Sequence, residues 1–148
     1  MDEHLLAIIQ AAEAGLECPP VRVLTGGLAI LGVPGRPSEF LEVSTDELID
    51  QYVGYVDGRS RRERKDEDID PEAKANEHLG NVRWPTASAD SVPQALTLLD
   101  ARIWPIAGGD ALELPALRLP VRNIQAWWIA GGTVIDEKKD RSWWIVVV

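Results

Sequence analysis

The chain contains Val21-Arg-Val-Leu-Thr-Gly-Gly-Leu-Ala-Ile-Leu-Gly-Val33, in which two short apolar runs flank a pair of glycines. Glycine adopts the positive φ angles of a two-residue hairpin turn without steric cost, so Gly26 and Gly27 predict a turn between antiparallel strands. Gly32 predicts a bend or bulge in the second strand. The same pattern resumes only at Ala95-Leu-Thr-Leu-Leu-Asp-Ala-Arg-Ile103, which indicates one curved sheet interrupted by an insert.

Two helices are predicted around these strands. Residues 4–15 place leucine, isoleucine and alanine at helical spacing and end at a glycine. Residues 45–56 follow a capping serine or threonine and carry an apolar stripe. We therefore expect an N-terminal helix before the hairpin and a second helix inside the insert.

The insert spans about residues 34–94, and residues 58–80 differ in composition from the rest of it. Residues 59–65 are mostly basic and residues 66–70 mostly acidic, so few of these side chains can enter a core. The composition predicts a solvated, mobile loop over residues 58–80. A docking arm for a charged partner is an alternative, and a nucleic-acid role for the basic run is another that the adjacent acidic block opposes.

The second half of the chain is predicted to consist mainly of strands. The pair Gly108-Gly109 indicates a turn. Pro115 and Pro120 confine the strand that contains them to a sheet edge or to bulges, because proline lacks an N–H. Residues 117–129 and 143–148 are interpreted as further strands.

Length and composition set the broad class. A chain of 148 residues with 45% hydrophobic content predicts one domain with a core of ordinary size. We predict the α+β class: a small, strongly bent antiparallel β-barrel from about residues 5–33 and 95–148, with an N-terminal helix and a charged, helical insert between strands 2 and 3. The single cysteine, Cys18, excludes an internal disulfide and fits the cytoplasm. With no signal peptide and no apolar run near ~18 residues, the chain is expected to be soluble, without a membrane span.

No catalytic or metal-binding motif is recognised in the sequence. The two histidines, His4 and His78, lie outside any zinc-binding pattern. Asp100, inside a leucine-rich strand, is interpreted as a structural carboxylate that bonds a turn or pairs with Arg102 or Arg122, because catalysis would require a second acid or base beside it. We predict a protein that is not an enzyme and uses no cofactor or metal.

The net charge and the tryptophans indicate which kinds of binding partner to expect. A net charge of −9 opposes binding to polyanions, so nucleic acid is not expected as a partner. Adjacent tryptophans in a strand point to opposite faces, and an outward indole is a typical interface anchor. The alternatives to an interface role are that these indoles are buried within their own chain or that they stack on nucleic-acid bases. The candidate interface residues are Trp127, Trp128, Trp143, Trp144 and Ile145.

These features resemble the Sm-like fold, in which a short helix precedes five curved antiparallel strands. The resemblance rests on the glycine-turn hairpin, on Ala95-Leu-Thr-Leu-Leu-Asp-Ala-Arg102 and on Leu119-Pro-Val-Arg-Asn-Ile-Gln-Ala-Trp127, although Pro120-Val-Arg-Asn lacks the family's usual Arg-Gly. It implies, as one alternative, an RNA-binding ring protein whose contacts would include Arg118 and Arg122. The run Val-Leu-Thr-Gly-Gly-Leu with a helix-bearing insert is also similar to accessory proteins of gas-vesicle clusters, the U type, which are helpers rather than enzymes.

The sequence therefore predicts a non-enzymatic cytoplasmic interaction, assembly or accessory protein. It is expected to form a homo-oligomer or to bind a protein partner, with residues 143–148 supplying a strand edge. The alternatives are an Sm-type RNA-binding ring and a small-molecule binder or enzyme with a tryptophan-lined pocket.

Overall fold

A computed structural model describes residues 2–57, 70–84 and 92–130. Within them, three α-helices and one 3-10 turn accompany a five-stranded antiparallel sheet with strand order β4-β3-β2-β1-β5. The elements are α1 (Glu3–Glu13), β1 (Val21–Thr25), β2 (Leu28–Gly35), α2 (Pro37–Asp57), α3 (Pro71–Gly80), β3 (Ala95–Pro105), β4 (Leu112–Pro120), the 3-10 turn (Val121–Asn123) and β5 (Ala126–Ile129). The α+β class and the antiparallel sheet are confirmed, but this sheet is open: β4 and β5 form its two edges and do not pair to close a barrel.

The hairpin between β1 and β2 forms at the predicted glycine pair. Gly26 and Gly27 have φ angles of 51° and 78°, and Thr25 pairs with Leu28 across the turn. Both turn residues adopt the left-handed conformation of a two-residue hairpin loop, which glycine enters at little cost. The predicted turn is therefore confirmed.

The sheet bends where β3 contains one more residue than β2. The register passes from Leu31 opposite Arg102 to Val33 opposite Leu99, which leaves Gly32 facing the extra residue. Asp100 lies at this bulge with a φ of 49°. The bulge predicted at Gly32 is confirmed. It also explains why apolar and polar residues alternate imperfectly along β3, because the added residue shifts which side chains face each side of the sheet.

The core lies between α1 and one face of the sheet. Asp2 caps α1, since its carboxylate accepts hydrogen bonds from the backbone N–H groups of His4 and Leu5. The helix predicted over residues 4–15 is confirmed as Glu3–Glu13. The buried cluster contains side chains from α1, four of the strands and the 3-10 turn: Leu5, Ile9, Val21, Val23, Ile30, Leu96, Leu98, Ala101, Leu119 and Val121.

The second helix begins earlier than predicted. It starts at Pro37, where the absent N–H and the fixed φ of proline suit the first helical turn. The carboxylate of Glu39 accepts a 3.0 Å hydrogen bond from the backbone N–H of Arg36. Thr45, which was predicted to cap this helix, lies inside it and donates its hydroxyl to the Leu41 carbonyl oxygen at 2.6 Å. The predicted start near residue 45 is therefore wrong.

A third helix lies within the stretch predicted to be a loop. Asp70 caps α3 by accepting a 3.1 Å hydrogen bond from the backbone N–H of Glu72, and Pro71 occupies the first helical position. The loop structure predicted for residues 71–80 is corrected to a helix, while residues 58–69 lie outside the described residues. In the described part of the chain, no helix has the length and apolar character needed to cross a membrane.

The last strands differ from the predicted division. The prolines lie in a single strand, β4, which is a sheet edge as predicted. The strand predicted over residues 117–129 is interrupted by the 3-10 turn, in which the N–H of Ile124 bonds to the Val121 carbonyl at 3.1 Å. The predicted strand at residues 143–148, with Trp143, Trp144 and Ile145, lies outside the described residues.

Candidate functional site

The tryptophan pair of β5 points to both faces of the sheet. Trp127 lies opposite Val23 and packs against the core cluster, whereas Trp128 lies opposite Arg22 on the other face. The guanidinium of Arg22 also lies 6.0 Å from the centre of the Trp104 ring. The expected placement of one indole on each face is observed, and the interface role of the pair stays a prediction.

The outer edge of β5 presents backbone hydrogen-bonding groups. Ala130 donates its N–H to the Pro20 carbonyl at 2.9 Å, so Ala130 faces β1. Because antiparallel strands alternate the direction of these groups, Trp127 and Ile129 direct their N–H and C=O groups away from β1. Among the described strands only β1 pairs with β5, and the Ile129 side chain is 54% exposed. This edge can accept an added strand.

The opposite edge, β4, is less suited to pairing. Pro115 and Pro120 lack the N–H that a new strand would require. Arg102 and Glu113 form a 2.9 Å ion pair between β3 and β4, and α2 packs beside β4. The more accessible edge of the described sheet is therefore β5.

A cleft of about 460 Å³ lies between the start of α1 and the connection from β4 to β5. A hydrogen bond from the backbone N–H of Leu5 lowers the pKa of Asp2, and one from the Trp127 side chain lowers it further. The cleft contains Arg122, one of the two arginines expected in the RNA-binding alternative, but not Arg118, which donates a 3.0 Å hydrogen bond to Thr97. The lining residues are Asp2, Leu5, Val121, Arg122, Ile124, Gln125, Ala126 and Trp127.

A second cleft of about 400 Å³ lies at the bulge in β3. It brings Glu47 of α2, which sequence reasoning did not single out, to the same cleft as Asp100. The predicted pairing of Asp100 with Arg102 is wrong, because Arg102 donates a hydrogen bond to the Glu113 carboxylate instead. In residues 2–57, 70–84 and 92–130, no three side chains of the metal-ligating types are grouped to hold an ion. Asp100 is exposed, and its left-handed backbone conformation indicates a structural role at the bend.

The shifted pKa values have structural causes. Burial raises the pKa of the Cys18 thiol, whose Sγ contacts the Ile8 carbonyl oxygen at 3.8 Å, and this favours the unreactive protonated form. Hydrogen bonds from Arg36, first from its backbone N–H, lower the pKa of Glu39 at the start of α2. Burial lowers the pKa of Arg22 in the sheet.

Three exposed apolar side chains on the helical insert were not predicted. Val53, Val82 and Trp84 are 41%, 46% and 43% exposed. The Trp84 indole Nε1 donates a 3.1 Å hydrogen bond to the Leu79 carbonyl oxygen, which fixes the ring at the end of α3. The signal in the sequence for this part of the insert is the lone Trp84, which follows a polar helix.

No protein-family model, curated protein or solved structure matches this chain. The fold therefore defines an α+β protein with an open five-stranded antiparallel sheet, and the resemblances to the Sm-like fold and to gas-vesicle accessory proteins stay predictions.

Proposed function

We propose that this chain is a non-enzymatic interaction or assembly protein, which associates with copies of itself or with a protein partner through an edge of its sheet. The observation that carries the proposal is the outer edge of β5, where Trp127 and Ile129 direct backbone groups away from β1. A strand added there would satisfy these groups and extend the sheet. The two indoles beside the edge would supply aromatic contact area on both faces.

The added strand is proposed to come from residues 143–148 of another copy. Trp143, Trp144 and Ile145 belong to this apolar run. Such a segment gains roughly 25 cal/mol for each Å² of apolar surface that it buries, so association competes well with exposure to water. We include in this proposal an Sm-like curvature of the sheet, a cytoplasmic location and a helper role similar to that of gas-vesicle accessory proteins.

Proline in place of Ile129 tests the use of this edge. Ile129→Pro removes the outward N–H while the hydrogen bond from Ala130 to Pro20 on the inner side is retained. We expect the wild-type chain to be a dimer or larger by light scattering, and the proline variant to have the mass of one chain. Ile129→Ala is the matched control, because it removes the same apolar side chain but keeps the N–H, and it should assemble like the wild type. Equal masses for the two variants would contradict pairing through this edge.

The RNA-binding alternative has one observation in its favour. Arg122 and Trp127 line the same cleft, and a cation beside an aromatic ring is a common arrangement for binding single-stranded nucleic acid. The carboxylate of Asp2 shares that cleft and the chain carries a net charge of −9, so both oppose a phosphate backbone. Assembly without RNA is therefore the function that we propose.

A further inference from the structure

The helical insert presents a stripe of carboxylates on one face of α2. Glu42, Asp46 and Asp50 follow one another at intervals of four residues, and all three are exposed. Val53 continues the same face one turn further on, because residues three and four apart lie next to each other on a helix. We call α2, α3 and residues 81–84 together the acidic arm.

Two exposed apolar side chains, Val53 and Trp84, accompany this stripe on the acidic arm. The hydroxyl of Tyr52 bonds to Nδ1 of His78, and the centres of the two rings are 5.6 Å apart, so α2 and α3 contact each other there. Tyr52 precedes Val53, and His78 precedes Leu79, whose carbonyl holds the Trp84 indole. Val53 and Trp84 therefore each lie one or a few residues from the contact between α2 and α3, and both side chains are exposed.

The charges of the stripe are not balanced within its helix. α2 contains no lysine or arginine, and like charges four residues apart destabilise a helix. A cationic partner lying along the stripe would remove this repulsion. The fixed indole of Trp84 would lose little conformational freedom on binding, which is the property of an interface anchor.

We infer that the acidic arm is a docking surface for a basic amphipathic helix of a partner protein. Lysine or arginine side chains repeated every four residues on that helix would face Glu42, Asp46 and Asp50, and its apolar residues would cover Val53 and Trp84. The stripe from residue 42 to residue 53 is about 16 Å long at 1.5 Å per residue, which corresponds to three turns of the bound helix. This surface is separate from the β5 edge, so the inference does not depend on the proposed self-association.

A synthetic probe tests the inference on the full-length chain. The probe is a fluorescein-labelled peptide of about 18 residues with leucine on one helical face and lysine on the other. Its partner peptide carries glutamate in place of every lysine. We expect fluorescence anisotropy to show saturable binding of the lysine peptide and none of the glutamate peptide. Absence of binding by the lysine peptide at low salt would overturn the inference.

Matched charge variants separate the stripe from the overall negative charge. Asp46→Asn with Asp50→Asn should weaken binding roughly three- to tenfold, as expected for two exposed ion pairs. Glu3→Gln with Asp110→Asn removes two exposed carboxylates from the start of α1 and from the turn before β4, and should leave binding unchanged. An equal loss in the two double variants would show that net charge alone attracts the peptide, which contradicts a docking surface.

The apolar anchor is tested by Trp84→Ala, which should weaken binding by more than about tenfold. Loss of the indole hydrogen bond could prevent Trp84→Ala from folding, so Val53→Ser provides a second test at an exposed position of α2. Unchanged binding in a folded Val53→Ser variant would refute the apolar part of the surface. The melting temperature of each variant shows whether it is folded.

The chain's own basic run is the rival occupant. If the surface is open to a partner, replacing Arg59, Arg61, Arg62, Arg64 and Lys65 with glutamine should change the affinity for the lysine peptide by the same factor with and without Asp46→Asn and Asp50→Asn, because only the net charge is altered. A marked gain in affinity that disappears in the Asp46→Asn, Asp50→Asn background would show that this run already occupies the acidic arm, and it would overturn the assignment to a separate protein.

Discussion

Gly32→Ala tests how tightly the bend of the sheet is packed. An added Cβ at Gly32 would lie 2.8 Å from the Cβ of Leu98 and 3.3 Å from the carbonyl oxygen of Leu99. Leu98 is fully buried and its Cβ is attached to the backbone, so neither rotation of a side chain nor exposure to solvent relieves the contact.

The expected cost follows from that contact. Overpacking of a well-packed core costs about 1–3 kcal/mol, because backbone atoms must shift to admit the new methyl group. For a domain of this size the loss corresponds to a fall in the melting temperature of roughly 2–12 °C. Thermal unfolding followed by circular dichroism measures both the melting temperature and its change.

Two other glycines provide controls. A Cβ at Gly35 would meet the end of the Leu99 side chain at 2.7 Å, and a flexible side chain can move away, so Gly35→Ala should cost less. Gly54 lies in α2, and apart from the helix's own backbone no atom lies within 4 Å of an added Cβ, so Gly54→Ala should stabilise the helix by about 0.5–1 kcal/mol. A Gly32→Ala variant as stable as the wild type would refute the close approach of β2 and β3.

Three further predictions concern the bulge, the start of α2 and the cleft. Asp100 has a φ of 49°, so Asp100→Gly should leave the free energy of unfolding nearly unchanged. Asp100→Val should lower this free energy by about 1–2 kcal/mol in urea titrations, because a β-branched residue is strained in the left-handed conformation. Equal effects of the two variants would contradict that conformation. The pKa of Glu39 is lowered by hydrogen bonds from Arg36, so its stabilisation of α2 is present above the ordinary carboxyl pKa and is lost as the pH falls through the lowered value. The difference in melting temperature between the wild type and Glu39→Gln should therefore disappear in acid, and a difference that grows in acid would show the opposite sign. RNA should show no measurable binding at about physiological salt in filter-binding assays, and salt-sensitive binding lost in Arg122→Ala would instead support the RNA-binding alternative.

Local patterns were the part of the fold that the sequence predicted well. The turn at Gly26 and Gly27 depends on two adjacent residues, and the bend at Gly32 depends on the absence of a side chain, so both are visible without tertiary contacts. The position of the bulge on Asp100 could not be predicted, because it depends on how β3 pairs with β2.

The insert shows why two of the helices were misjudged. The predicted start of α2 at residue 45 took no account of Pro37, although proline is well suited to the first turn of a helix. Pro71 follows a capping aspartate in the same way, but the polar residues after it hid the helix, whose apolar face is narrow. The break between β4 and β5 is the 3-10 turn at Val121–Asn123, and the apolar, β-type residues on both sides of it conceal it in the sequence.

The candidate site was predicted only in part. Adjacent tryptophans in a strand must face opposite sides, so the placement of Trp127 and Trp128 followed from the period of the strand. The meeting of Arg122 and Trp127 in one cleft depends on the 3-10 turn, and the nearness of Glu47 to Asp100 depends on how α2 packs beside the sheet.

The mass of the full-length chain in solution tests self-assembly most directly. Light scattering at high micromolar concentration should give the mass of a dimer or a larger ring. Truncation after Ser142 should reduce the mass to that of a single chain, while the secondary-structure content stays about the same. This result is expected because the removed residues, from Trp143 to the end, are the apolar run proposed to pair with β5 of a neighbour. A full-length chain that is monomeric at that concentration would contradict the account, and residues 143–148 would then act within their own chain.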